Sequence, residues 1–208
     1  MSTKLPSRTV RLLTGLALFG VSVALMVRAD LGLASWDVLH QGVADRTGLP
    51  MGLVVNGVAL LVLLLWIPLR QRPGVGTVAN VALVGLALDA TLAVLPPLEP
   101  LAGRIGLLVA GVVLNGLATA LYLGARLGPG PRDGLMTGLA ARGLPLGPAR
   151  TGIEVTVLAA GWLLGGAVGP GTLLYAIGIG PIVAWFVPRL AAPSPAATPT
   201  GATSPCPA

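Results

Sequence analysis

The sequence predicts an all-α, polytopic membrane protein of about six transmembrane helices, built as two inverted three-helix repeats that each carry a short re-entrant or interfacial helix. Three observations lead there. Hydrophobic residues make up 54% of the 208-residue chain and charged residues 10%, against about a quarter charged in soluble domains. Apolar runs nearly free of charge recur along the chain, at 11–28, 51–69, 75–95, 104–124, 149–166 and 171–188. The stretch from Asp30 to His40, DLGLASWDVLH, also returns in frame 96 positions on as Arg126 to Met136, RLGPGPRDGLM.

The first run, 11–28, follows Lys4, Arg8 and Arg11. That layout imitates a secretory signal, but no clean small-x-small cleavage site follows, and the run takes part in the repeat, so a membrane span is expected. After it, 34–47 is too short to cross and too apolar for an ordinary loop; it is expected to form the first short helix. Runs 51–69 and 75–95 complete the first repeat, about 11–95. Run 104–124 opens the second, about 104–188, and the segment 132–143 supplies its short helix. Runs 149–166 and 171–188 are interrupted by Gly165, Gly166, Gly169, Pro170 and Gly171, so their ends are the least defined. Together 1–190 form one integral membrane domain, and 191–208 is a Pro/Ala-rich cytoplasmic tail expected to be disordered.

The repeat rests on residues that low complexity does not explain. Asp37 pairs with Asp133, Arg46 with Arg142, Pro50 with Pro145 and Thr77 with Thr172, at an offset of 96 that becomes 95 after one deletion. Three crossings per half is an odd number, so the halves must point in opposite directions across the membrane. The basic residues agree. With the N-terminus inside, Lys4, Arg8, Arg11, Arg70, Arg72, Arg126, Arg132, Arg142, Arg150 and Arg189 are cytoplasmic, and only Arg28, Arg46 and Arg104 lie outside, as the positive-inside rule requires. The net charge of +6 is therefore read as topology and not as a nucleic-acid surface. The partners expected are the lipid bilayer and a small-molecule substrate.

Candidate binding residues lie in the two short helices. Asp37 and Asp133 are costly in hydrocarbon, which suggests a substrate or proton contact in each half; both also suit a helix N-terminus, where Asp caps free amides. Arg132 and Trp36 occupy equivalent places in the two halves, as substrate contacts or as a topology anchor and an interfacial anchor. His40, one turn after Asp37, is a proton relay or a solvated side chain. Glu154 lies inside an apolar run, four residues after Arg150 and able to pair with it, and with Asp89 it is the second choice for a coupling site. Asn56, Asn80 and Asn115 are expected to tie helices together. There is no nucleophile elbow, no histidine pair at metal spacing, no phosphate-binding glycine loop and no Cys-x-x-Cys, so no enzymatic activity, cofactor or metal is expected.

The segments LGLASWDVL (31–39) and GPGPRDGLM (128–136) resemble the YczE/YyaS/YitT family of bacterial integral membrane proteins, and the resemblance runs to about Pro188. It implies a multi-pass protein of the bacterial plasma membrane, similar to the shorter YczE-type branch, some of whose relatives are grouped with exporters. The functional expectation is a secondary transporter or exporter of a small molecule, with both termini cytoplasmic. A non-transporting membrane scaffold is the alternative.

Overall fold

The computed structural model describes residues 4–190, which form eight helices and, among the described residues, no strand: α1 (Lys4–Ala29), α2 (Ser35–Thr47), α3 (Met51–Leu69), α4 (Val75–Val94), α5 (Leu101–Ala125), α6 (Pro131–Ala140), α7 (Leu146–Leu163) and α8 (Pro170–Leu190). The expected tail lies outside the described residues. Five helices are long and apolar enough to cross a membrane: α1 from Pro6, α3, α4, α5 and α8. The expectation of six long apolar spans is met at five. The remaining run, 149–166, becomes α7, 18 residues that include Arg150 and Glu154, and it ends at Leu163 instead of 166 because the chain turns at Gly165, φ 101°.

Local sequence fixes the breaks. α1 stops where Asp30 takes a left-handed φ of 48°, and α3 and α5 stop at Arg70 and Arg126, with φ of 53° and 52°. α2 and α6 span 13 and 10 residues, about 15–20 Å at 1.5 Å per residue, well short of a hydrocarbon core of about 30 Å.

α1 and α5 form the centre of the bundle, α4 packs on α1 and α8 on α5, while α2 packs on α7 and α6 on α3. The central pair is antiparallel, since each helix start clamps the other's end. Arg8 near the start of α1 donates from Nε to the Ala125 carbonyl and from Nη2 to that of Arg126, each at 2.8 Å. Arg104 near the start of α5 donates from Nε to the Ala29 carbonyl at 2.8 Å and from Nη2 to the Asp30 carboxylate at 3.0 Å. These guanidiniums occupy carbonyls that a helix C-terminus leaves without partners. Between the two helices, Leu16, Val23 and Met26 meet Leu108, Val112 and Tyr122 in one buried cluster. Outward, Leu60, Leu61, Leu64, Leu65 and Ile67 of α3 and Leu173 and Ile177 of α8 stand exposed, the apolar surface a lipid-facing helix presents.

Candidate functional site

The turns ahead of α2 and α6 set the site. Gly32 and Gly128 have φ of 110° and 127°, and an added Cβ would press on Gly169 and Thr172 in one case and on Gly74 and Thr77 in the other. The amide of Gly171 donates to the Leu31 carbonyl at 2.7 Å, and that of Gly76 to the Leu127 carbonyl at 2.8 Å. Each short helix therefore begins against the start of a long one, α2 against α8 and α6 against α4. Thr77 Oγ1 also donates to the Pro129 carbonyl at 2.7 Å, and Trp66 Nε1 to that of Pro131 at 3.0 Å. Glycine adopts these φ values without strain, which a residue carrying a Cβ could not do here.

Neither helix is capped by a side chain. The N-caps are Ala34 and Gly130, both extended, and the first intrahelical bonds are from Val38 to Ala34 and from Gly134 to Gly130. Asp37 and Asp133 do not fill the capping role that their positions suggested. Each is the third residue of its helix, and its carboxylate turns to side chains. Asp37, 2% exposed, has Oδ1 3.3 Å from His40 Nδ1 and 3.6 Å from Arg132 Nη2. Asp133 Oδ2 accepts from the Tyr122 hydroxyl at 2.6 Å.

Arg132 links the short helices, because its guanidinium carbon also stands 5.0 Å from the centre of the Trp36 ring, within range for a cation–π contact. Trp36 and His40 are 5% and 1% exposed. That corrects the readings of an interfacial anchor and a solvated histidine; packing of α2 against α7 and α3 covers both. Trp36 Nε1 is buried with no hydrogen-bond partner.

A cavity of about 320 Å³ opens at this junction, and all eight helices reach it. Its polar wall holds Ser35, Trp36, His40, Arg132, Asp133, Arg150 and Glu154, and its apolar wall includes Val55, Val58, Val62, Ile179 and Val183. Of the residues singled out from sequence, Trp36, His40, Arg132, Asp133 and Glu154 line the cavity together, and Asp37 lies behind them. Arg150 and Glu154 form no ion pair within the described structure, although both face the cavity. Asp89 is elsewhere: its Oδ1 accepts from the Gly52 amide at 2.7 Å at the start of α3. Asn56 Oδ1 accepts from the Gly85 amide at 3.1 Å, the expected helix tie.

The sequence reading passed over Tyr122 and Tyr175. These are the chain's two tyrosines, and both line the cavity. Tyr175 donates to Asn115 Oδ1 at 2.9 Å, and Asn115 Nδ2 donates to Ser22 Oγ at 2.8 Å, so a buried chain of bonds across α8, α5 and α1 holds the ring in place. A hydroxyl in an apolar span needs a partner, and that requirement was the signal available. Among the described residues, no group of three His, Cys, Asp or Glu side chains could hold a metal ion.

Residues 6–188 match the model of DUF6198, a family of unknown function. An uncharacterized protein of Haemophilus influenzae is 40% identical over 177 residues, covering 85% of this chain and 81% of its own. The uncharacterized membrane protein YczE of Bacillus subtilis is 36% identical over 174 residues, covering 82% of this chain and 80% of its own. No solved structure matches.

Proposed function

The chain belongs to the DUF6198 family and to the YczE-like membrane proteins, and on that footing we propose that it is a secondary transporter or exporter whose substrate site is the cavity between α2 and α6. The observation that carries this is a charged cavity reached by every helix of an apolar bundle. Charged groups inside a membrane domain are costly and mark pathways, and substrate sites in transporters lie where broken helices from two repeats meet.

An inverted repeat supports the same reading. Residues related by the offset make the same contacts at opposite ends of the bundle. Arg8 holds the end of α5 as Arg104 holds the end of α1. Arg46 donates from Nη2 to the Leu163 carbonyl at 3.2 Å, and Arg142 donates from Nη2 to that of Pro68. Gly171 meets Leu31 as Gly76 meets Leu127. Every one of these contacts joins residues that the positive-inside topology puts on one side, with α7 as the sixth crossing, the plasma membrane as the location and both termini cytoplasmic. In this scheme Glu154, which has no hydrogen bond or ion pair in the described structure, takes the coupling proton, and the protein moves a solute without chemical change.

The test is solute-driven proton movement into proteoliposomes carrying an internal pH dye, screened over a panel of small organic acids, amines and neutral solutes. At least one solute is expected to drive proton flux that empty liposomes lack and that Glu154→Gln abolishes. A fully folded protein that moves no solute would favour the scaffold.

A further inference from the structure

Resting on the reading of the cavity as a substrate site, we propose that it takes a small amphipathic organic anion, whose acidic group is held by Arg132 and the Trp36 indole N–H and whose apolar body lies along Val55, Val58 and Val62.

Four features of the cavity point to that chemistry. Its side-chain charges are Arg132 and Arg150 against Asp133 and Glu154 on the wall and Asp37 behind it; Asp37 is already paired with Arg132 and Glu154 is the proton carrier of the proposed transport, so the groups left to meet a ligand decide its sign. Both short helices bring uncapped N-termini to the wall, through Ala34 to Trp36 and through Gly130 to Asp133. Each such end carries a partial positive charge and amides free to donate, although α6 begins with Pro131, which has no N–H, so that its donors start at Arg132. Trp36 lines the cavity, and its Nε1–H is enclosed in the wall and unpartnered; a buried donor left unpaired is unfavourable, so a small shift of the wall that opens it to an acceptor on a ligand is favoured. Arg132 is anchored from one side only, by Asp37 at 3.6 Å and by the indole face, and a guanidinium has five N–H donors, enough to grip a carboxylate as well.

The acids leave less on offer. One carboxylate oxygen of Asp133 is engaged by Tyr122 at 2.6 Å, and Glu154, unpaired in the described structure, is the proton carrier of the proposed transport and so not the group that holds a ligand's charge. Beyond the charged end, α3 and α8 present valines and Ile179, which favours a hydrocarbon body over a fully polar metabolite. The volume, about 320 Å³, suits one small molecule and not a lipid.

The experiment measures binding of three probes with one hydrocarbon body, 4-phenylbutyrate, 4-phenylbutylamine and 4-phenylbutanol, to the full chain in lipid nanodiscs, with empty nanodiscs subtracted. The carboxylate is expected to bind at least about tenfold more tightly than the other two. Arg132→Gln should weaken it by about tenfold or more, with Arg132→Lys recovering part of the loss. Trp36→Phe, which keeps the ring and removes only the N–H, should weaken it severalfold with the unliganded melting temperature held; it decides the matter if Arg132→Gln does not fold. Equal or tighter binding of the amine, binding of none of the three, or carboxylate affinity unchanged in Trp36→Phe and any folded Arg132 variant overturns the inference. Carboxylate binding without any solute flux would overturn the transport reading and leave this one standing.

Discussion

Asp37 sits beneath His40 and Arg132, one residue from the Trp36 indole, and is buried. Removing one partner of such a cluster leaves a buried acceptor short, at about 1–3 kcal/mol. His40→Ala should therefore lower the melting temperature in detergent by about 3–10 °C, and a change within 1 °C would mean that the 3.3 Å contact contributes nothing. Tyr122→Phe should cost a similar amount by stripping Asp133 of its 2.6 Å donor, read in the same thermal scan. The short spacing from Asp37 to His40 could be read from the chain, because one helical turn fixes it. The approach of Arg132 to Asp37 could not, because it depends on how α6 and α2 are brought together by α3 and α7. The burial of Trp36 escaped for the same reason: hydropathy identifies an amphipathic side chain but not what packs over it.

The short helices owe their placement to the turns before them, and those turns depend on two glycines. Gly32→Ala and Gly128→Ala each introduce a Cβ into a left-handed backbone and against the neighbouring helix start, at about 1–3 kcal/mol apiece. Both should reduce the yield of monodisperse protein on size exclusion and lower its melting temperature. Gly106→Ala, with no neighbour within 4 Å, should leave both unchanged or slightly improved. Equal behaviour of all three would show that the turns are not under constraint. Element positions were largely legible, since charge-free runs and short polar-flanked segments mark long and short helices. Their ends moved where backbone geometry overrides composition: α7 stops three residues early at the Gly165 turn, and α1 begins earlier, at Lys4. α7 also falls short of a clear span by composition because Arg150 and Glu154, which lower its apolarity, are the residues it presents to the cavity.

At the scale of the molecule, the repeated contacts make a quantitative demand. Arg8→Ala and Arg104→Ala each free two helix-end carbonyls and should lower the melting temperature by amounts within about twofold of one another, since the related side chains do the same work at opposite ends. A large effect of one and none of the other would leave the symmetry without energetic meaning. The register of Asp, Arg, Pro and Thr is the sequence signal behind the proposed duplication; which residues of each half would meet at one cavity was not legible, because only the packed helices bring them together.

In the proposed topology α2 and α6 enter from opposite faces and meet at a common site. Cysteine labelling tests this topology, in a Cys206→Ser background, with Thr47→Cys at the end of α2 and Ala141→Cys just after α6, both exposed positions. A membrane-impermeant maleimide added to intact cells should label Thr47→Cys and spare Ala141→Cys, with the reverse in inside-out vesicles; labelling of both from the same side would contradict the account.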